Sequence, residues 1–374
     1  MKFGICVAAK ISNIELIEVA DELGYDSAWV ADSQMIWSDC YATLAVAAQR
    51  TKRIKLGTGV AIAGTRIAPV TAAAIATINQ LAPGRAFLGL GTGHTAMRIM
   101  GQNAMPQREF QTYARTVRDL LDGKHTTYAY GGVAKDITFI HQGQGYYGLE
   151  PRIPIYIAAA GPVGQRFAGR LADGMVLLGA PDGGAAAAAM ECARKGAALA
   201  GRALNDDFEV TTLTGGTVLA PGEDWTAEHL AEDVGPMVTA SFHYYWEVSP
   251  ESKREATVPP LYAPAWRSYL NFVDDMETPE DRRYQQVHLG HCSYLVPEER
   301  QFVTPELIKG GCLAGTPEQI VERIRAAEAG GLTQVMLMSD EKYAVRVIRD
   351  FAKQVFPLLE ERRDSLASTG RRSS

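Results

Sequence analysis

Polar side chains with catalytic potential follow two apolar segments that the sequence predicts to be strands. Asp32 and Ser33 come directly after segment 27–31, and His94 comes shortly after segment 86–91. An imidazole titrates near neutral pH, so His94 is the first candidate for a general acid or base. Asp32 and Ser33 are the other catalytic candidates. Asp32 is as suited to orienting a loop or Ser33 as it is to contacting substrate.

A possible anion site lies in the stretch PIYIAAAGPVGQRFAGRLADGMVLLG, residues 154–179. The stretch predicts one βαβ unit, because 155–159 is a short apolar run typical of a strand buried on both faces. Gly161 and Pro162 then break the strand, and proline suits the first turn of a helix. That turn leaves backbone N–H groups free to bind an anion, and a simple packing turn is the alternative.

Strands and helices alternate along most of the chain. This alternation predicts a parallel sheet with right-handed crossovers, and eight strands favour an α/β fold of the (β/α)8 TIM-barrel type. The predicted strands are 3–8, 27–31, 55–61, 86–91, 155–159, 175–178, 208–219 and 333–338. The predicted helices are 13–23, 39–49, 69–81, 109–121, 163–171, 183–200, 317–329 and 341–359.

Two segments interrupt the alternation. Residues 122–153 contain paired glycines and several tyrosines, and they predict an insertion with a short hairpin. Residues 235–311 predict a larger insertion near the barrel mouth, whose tyrosines and tryptophans mostly form a core of their own. Residues 1–364 are predicted to be a single domain, and 365–374 a disordered tail.

Composition narrows the possible partners and compartment. A net charge of -6 disfavours nucleic acid, and 47% hydrophobic with 21% charged residues is ordinary for a globular protein. The sequence has no apolar run of membrane-spanning length, and its start, MKFGICVAA, lacks a signal-peptide pattern. The five cysteines are scattered and form no CxxC pair, which indicates reduced thiols in a cytoplasmic protein.

The carboxyl ends of barrel strands are where active sites form. In this chain they supply mostly small, uncharged groups, which suit a large flat ligand that lies against backbone. Its anionic end would lie at the helix that starts after Gly161. The groups in question are Asp32, Ser33 and Gln34 with Trp37 beyond, then Gly59, Val60 and Ala61, then Thr92, Gly93 and His94, and finally Ala159, Ala160, Gly161 and Pro162.

Two further groups are weaker candidates. His288 and His291 are three residues apart, as in some helical metal pairs, but no cluster of carboxylates or cysteines stands near them in sequence. No metal site is therefore predicted. Arg66 follows the third predicted strand and could meet an acidic ligand, but the expectation is a solvated loop arginine.

Several motifs occur in an order that resembles a known superfamily. DSAWVAD, IKLGTGV, APVTAAAIATINQLAPGRAFLGLGTG, AAAGP, LADG and GTPEQIVERIRAAEAGGL follow one another along nearly the whole predicted barrel. Together they resemble the bacterial-luciferase-like superfamily of flavin and deazaflavin enzymes. The chain is most similar to the coenzyme F420-dependent branch, that of methylenetetrahydromethanopterin reductase and glucose-6-phosphate dehydrogenase.

This resemblance implies a TIM barrel that dimerises and binds a reduced flavin-type cofactor. It implies a non-prolyl cis peptide at Gly59-Val60 behind the cofactor ring, and a cofactor phosphate on the backbone around Gly161. Trp37 matches an aromatic residue found near the ring in the dehydrogenase. The complete set of implied cofactor-binding residues is Trp37, Gly59, Val60, Ala61, Thr92, Gly93, Ala159, Gly161, Pro162 and Val163.

Two positions depart from the F420-dependent pattern. Ser33 stands where a histidine is common, and His94 stands where the dehydrogenase has a glutamate, so a sugar-phosphate dehydrogenase is disfavoured. The leading hypothesis is an oxidoreductase that passes hydride between F420 and a small organic substrate while His94 handles a proton. The alternative is an FMN-dependent monooxygenase that uses O2 and a separate flavin reductase, and a remote one is a non-catalytic flavin-binding protein. An aldolase would need a lysine at a strand end, and the predicted ends have none.

Overall fold

Eight parallel strands form a closed barrel in the computed structural model, which describes residues 1–204, 206–248 and 258–360. The strands are β1 (Lys2–Val7), β2 (Ser27–Val30), β3 (Lys55–Ile62), β4 (Ala86–Gly91), β5 (Thr126–Tyr130), β6 (Val133–Ile137), β7 (Ile155–Ala158), β8 (Gly174–Leu178), β9 (Glu209–Thr214), β10 (Gly216–Val218), β11 (Leu313–Gly315) and β12 (Gln334–Leu337). Their order around the barrel is β1-β12-β9-β8-β7-β4-β3-β2. The predicted TIM barrel is confirmed.

Helices alternate with the barrel strands, as the sequence predicts. They are α1 (Glu15–Leu23), α2 (Cys40–Arg50), α3 (Ala68–Leu81), α4 (His94–Arg98), α5 (Gln107–Leu121), α6 (Pro162–Leu171), α7 (Gly183–Leu199), α8 (Glu228–Val248), α9 (Ala263–Asp274), α10 (Arg283–Val287), α11 (Pro305–Gly311), α12 (Pro317–Ala329) and α13 (Ala344–Asp350). Two 3-10 turns, Glu280–Arg282 and Pro297–Phe302, and a π turn, Phe351–Val355, complete the described elements. None of the described helices is long and apolar enough to cross a membrane.

Contacts divide the chain into two compact units. The first unit comprises 2–178 and 185–211, and the second comprises Met1, 179–184 and the residues from Thr212 on. Every sequence-predicted site residue lies in the first unit. The single domain predicted over 1–364 stays a prediction, and the tail at 365–374 lies outside the described residues.

Large aromatic side chains on the barrel strands of the first unit pack against one another. The ring of Trp29 on β2 lies 4.4 Å from that of Phe87 on β4 and 5.2 Å from that of Tyr156 on β7, between centroids. All three side chains are buried. Tilted and edge-on aromatic contacts of this kind add to the stabilisation from apolar burial, so they help to hold β2, β4 and β7 together.

Two glycines set the packing of α6 against α7. A Cβ added to Gly169 on α6 would lie 1.9 Å from the carbonyl oxygen of Ala193, and one added to Gly196 on α7 would lie 1.9 Å from that of Arg166. Each helix therefore presses its backbone against a glycine of the other. No side chain larger than hydrogen fits at either position without a shift of backbone.

The second unit contains an aromatic core of its own, as predicted for the tyrosines and tryptophans of the larger insertion. Phe242 on α8 stacks at 4.8 Å on Tyr269 of α9, and Phe302 lies 5.8 Å from Phe242, between ring centroids. Trp266 belongs to the same buried cluster. The segments that supply these rings are therefore held together chiefly by apolar burial.

Three elements differ from the sequence predictions. The predicted strand 208–219 is present in the barrel as β9 but is too long, because the chain leaves the barrel at Gly215 and β10 pairs in parallel with β11 instead. The predicted helix 341–359 begins later, at Ala344, and passes through a π turn. The short helix α4 was not predicted, whereas the hairpin predicted within 122–153 is confirmed by the antiparallel pair β5 and β6.

Candidate active site

A buried ion pair lies directly beyond β2. The Asp32 carboxylate accepts a hydrogen bond from the backbone N–H of Ile62 at 3.1 Å and pairs with the Arg66 guanidinium at 2.6 Å. The second Nη of Arg66 reaches the Asp39 carboxylate at 2.7 Å. The loops after β2 and β3 are thus tied together by charge-assisted hydrogen bonds, which are stronger than neutral ones.

Arg66 has a different environment from the one expected. Only 17% of its side chain is exposed, and its guanidinium lies 5.1 Å from the centre of the Tyr41 ring. Burial alone would lower the pKa of Arg66, but the carboxylates of Asp32 and Asp39 raise it above its ordinary value. The expectation of a solvated loop arginine is therefore wrong, because Arg66 pairs with the carboxylates of Asp32 and Asp39.

The peptide bond between Gly59 and Val60 is cis, which confirms the expectation from the family resemblance. The pairing of β3 with β4 shifts register between Thr58 and Ala61, so the strand is irregular at this point. A Cβ on Gly91 of β4 would lie 2.7 Å from Cγ2 of Val60. The absence of a side chain at Gly91 therefore makes room for Val60 at the barrel end.

His94 is the first residue of α4 and is exposed. Gly93 before it has a left-handed backbone with φ 85°, which turns the chain sharply from β4 into the helix. The Gln34 amide donates to the carbonyl of Ala96 at 3.0 Å and so connects the loop after β2 with α4. The structure thus places His94 directly after the carboxyl end of β4, and its catalytic role stays a prediction.

The junction predicted as an anion site has the expected geometry. Gly161 is the N-cap of α6 with extended backbone, Pro162 begins the helix, and the Val163 side chain is 51% exposed. Among the described residues, no side chain caps this terminus by a hydrogen bond, and a Cβ on Gly161 would meet no atom within 4 Å. The first-turn N–H groups therefore have no side-chain cap among the described residues and retain their capacity for an anion.

The remaining predicted residues lie along the same barrel edge. Neighbouring strands in the order β2-β3-β4-β7 bring their carboxyl ends together. Ser33 is buried, Trp37 is half-buried, and the backbone N–H of Trp37 donates to the carbonyl of Ser33 at 2.9 Å. Ala61, Thr92 and Ala159 stand at the ends of β3, β4 and β7. The structure thus brings the predicted residues to one edge, and their individual roles stay predictions.

A closed barrel with glycines near the carboxyl ends of its strands is found in a known class of oxidoreductase. The sequence matches the family described as luciferase-like monooxygenase over residues 1–334. Because the match covers most of the chain, the protein belongs to that family. The resemblance stated from the motifs is thereby confirmed.

Individual relatives narrow the comparison. The chain is 27% identical over 370 residues to a 5,10-methylenetetrahydromethanopterin reductase of Archaeoglobus fulgidus, covering 96% of this chain and 100% of the relative. It is 36% identical over 179 residues to an F420-dependent glucose-6-phosphate dehydrogenase 2 of Rhodococcus jostii, covering 44% of this chain and 51% of the relative. The prediction of an oxidoreductase that uses F420 or a flavin is confirmed at the level of the family.

A solved structure shares the fold. The coenzyme F420 dependent tetrahydromethanopterin reductase of Methanopyrus kandleri superposes with a TM-score of 0.68 at 22% identity, covering 96% of this chain and 99% of that one. Agreement at this level of identity bears on the fold and supports the luciferase-like barrel.

Proposed function

We propose that this protein is an F420-dependent oxidoreductase that transfers a hydride between the deazaflavin and a small organic substrate. The observation that carries the proposal is the alignment with the A. fulgidus reductase, which runs through that whole relative and 96% of this chain. The R. jostii dehydrogenase, which is F420-dependent, supports it over part of the chain. The similarity therefore spans a complete enzyme of this kind and not one motif.

The residues present fit such a cofactor. A flat ring needs a surface of backbone and small side chains, which Gly59, Val60 and Gly91 supply at the barrel end. A phosphate needs free N–H groups, which the first turn of α6 presents. We assign the ring to the edge formed by Gly59 to Ala61, Thr92 and Gly93, and the phosphate to Gly161, Pro162 and Val163.

His94 and Asp32 have different roles in the proposed reaction. F420 supplies or accepts the hydride at its C5 carbon when bound. His94 is exposed at the same barrel edge, and its imidazole gives or takes the proton that balances charge on the substrate. Asp32 forms an ion pair with Arg66 and accepts a hydrogen bond from the backbone N–H of Ile62. It therefore acts as a positioning residue for the loop that contains Ser33 and Trp37.

The second candidate is an FMN-dependent monooxygenase that uses O2 and receives reduced FMN from a separate reductase. It is favoured by the description of the family itself, luciferase-like monooxygenase, and by Ser33, which replaces the histidine common in the F420-dependent branch. The same barrel edge and the same phosphate site would hold FMN. The two candidates differ in the ring that binds and in the electron acceptor.

Titration of the purified chain with F420 and FMN, each oxidised and reduced, separates the two candidates. We expect F420 to bind at least tenfold more tightly than FMN, measured by quenching of cofactor fluorescence for the oxidised forms and by equilibrium dialysis under anaerobic conditions for the reduced forms. Preferential binding of reduced FMN would establish the monooxygenase instead. Binding of neither cofactor would contradict both candidates.

An acidic residue at position 163 tests the phosphate site. Val163→Glu places a carboxylate in the first turn of α6, where it stabilises the helix but repels an anionic ligand. We expect cofactor affinity to fall about tenfold, since like charges at an exposed helix end cost up to about 1–2 kcal/mol. The isosteric neutral variant Val163→Gln is the control and should bind almost as the wild type does. Equal affinity of both variants would place the phosphate elsewhere.

The proposal extends to the assembly and its surroundings. We propose a cytoplasmic homodimer that acts on a small molecule and binds no nucleic acid. The net charge of -6 and the five cysteines, all of them free thiols in the structure, support this environment. The family resemblance supports the dimer, and light scattering of the purified chain at micromolar concentration measures it directly.

A further inference from the structure

Three histidines that are distant in sequence meet in the interior of the second unit. His243 lies on α8, and His288 and His291 lie in the turns after α10. One nitrogen from each ring lies within 4.8 Å of those of the other two. His243 is 0% exposed and His288 is 4% exposed. The pair recognised in the sequence thus has a third member some 45 residues earlier in the chain.

Buried carboxylates hold two of the three rings. Nε2 of His243 lies 2.8 Å from Oε1 of Glu299, and Nε2 of His288 lies 2.6 Å from Oε1 of Glu247. The exposed fractions of these carboxylate side chains are 4% and 3%. A carboxylate at this distance accepts a hydrogen bond from Nε2–H, which fixes the tautomer and leaves the lone pair on Nδ1.

The Nδ1 atoms of these two rings have no hydrogen-bond partner within the described part of the chain. Nδ1 of His243 and Nδ1 of His288 are buried and have no hydrogen-bond partner among the residues that the structure describes. An unsatisfied polar atom in a protein interior is costly and calls for an explanation, such as an ion. An imidazole that donates one nitrogen to a carboxylate and keeps the other free is the usual state of a metal-ligating histidine.

The spacing of the rings suits a shared ion. The centroids are separated by 5.7 Å for His243 and His288, 5.9 Å for His243 and His291, and 5.2 Å for His288 and His291. Rings whose nitrogens lie about 2 Å from a tetrahedral zinc ion have centroids about 5 Å apart. Small side-chain movements are therefore enough to bring the three nitrogens to bonding distance.

Charge balance favours the same conclusion. Three neutral imidazoles with the carboxylates of Glu247 and Glu299 form a buried group with two negative charges, which one divalent cation neutralises.

We propose that His243, His288 and His291 bind one divalent transition-metal ion, with Glu247 and Glu299 as the outer partners that orient two of the ligands. Imidazole ligands suit zinc, and three protein ligands leave a fourth position for water or a small ligand. The ion cross-links α8, the turns after α10 and, through Glu299, the turn Pro297–Phe302. None of these residues belongs to the proposed cofactor site, and the metal proposal does not depend on that site.

Metal content of the full chain, prepared without a polyhistidine tag, is the first test. We expect one zinc ion per chain after dialysis against metal-free buffer, measured by mass spectrometry of the elements. Cobalt(II) added to the chelator-treated protein should give the intense visible absorption of a four-coordinate ion. His288→Gln should lose both signals. His229→Gln is the control, since His229 lies outside the cluster on α8, the helix that contains His243, and it should retain both signals.

Two further measurements test the proposal even if the His288→Gln variant does not fold. Chelation of the wild type should lower Tm, and zinc at about one hundredfold excess over its Kd should restore about 5 °C. Glu247→Gln keeps a hydrogen-bonding group beside His288 and should weaken zinc binding about 10- to 100-fold. A folded wild type that binds neither zinc nor cobalt at micromolar concentration, or binding that persists in His288→Gln, would overturn the proposal.

Discussion

Arg66→Met should lower the free energy of unfolding by about 3 kcal/mol. The substitution keeps most of the apolar length of the side chain but leaves the buried Asp32 carboxylate without its cation. Removal of one partner from a buried ion pair costs about 3–5 kcal/mol, and we expect the lower end because 17% of the Arg66 side chain is exposed. Urea denaturation monitored by tryptophan fluorescence measures the change.

The double variant Asp32→Asn/Arg66→Met is the matched control for this prediction. Without a charge at position 32, the penalty for an unpaired carboxylate disappears, and most of the lost stability should return. Arg66→Lys should be intermediate, because one ammonium group cannot reach Asp32 and Asp39 in the forked geometry of a guanidinium. A single Arg66→Met variant as stable as the wild type would show that the pair contributes nothing.

His94→Gln should reduce kcat about 10²- to 10⁴-fold and leave cofactor affinity nearly unchanged. A glutamine occupies similar space and can still form hydrogen bonds, but it cannot transfer a proton at neutral pH. The measurement follows oxidation of reduced F420 in the presence of the carbonyl, enone or imine substrate that the wild type turns over best.

His125→Gln supplies the control for the histidine substitution. His125 is exposed and lies between α5 and β5, away from the barrel edge that holds His94. The pH profile of kcat adds a second readout, because loss of the imidazole should change that profile if His94 transfers the proton. Unchanged kcat and an unchanged profile in His94→Gln would assign the proton transfer to another group.

Elements with strong local signals were predictable from the sequence. The bounds of β4 and α12 agree with the prediction residue for residue. In α12 the signal is complete, because Thr316 and Gln319 form a capping box and Pro317 follows the cap. The family motifs added the cis bond at Gly59-Val60, which no propensity argument could have supplied.

Features that depend on distant partners were not predictable. Arg66 resembles any loop arginine until the fold brings Asp32 and Asp39 to it from 34 and 27 residues away. The break at Gly215 depends on β11, which lies almost one hundred residues later and offers β10 a new partner. In both cases the determining contact is tertiary, so a window of local sequence contains no trace of it.

The histidine cluster could be predicted from the sequence only in part. His243 and Glu247 are four residues apart on α8, a spacing that places both on one helix face and is visible in the sequence. The approach of that face to His288 and Glu299 is a tertiary event and could not be read from spacing. A search for histidines four residues from a carboxylate would have identified two of its five residues.

The glycine contacts between α6 and α7 have a consequence for anyone who redesigns ligand preference. Gly169 lies eight residues, or about 12 Å, along the helix from the N-cap Gly161. A helix moves as a rigid rod, so a bulkier side chain at Gly169 or Gly196 would shift the proposed anion-binding end without touching it. Ligand selection could therefore be altered by substitutions at Gly169 or Gly196, which do not contact the ligand. Mutational libraries confined to the pocket lining would miss these two positions.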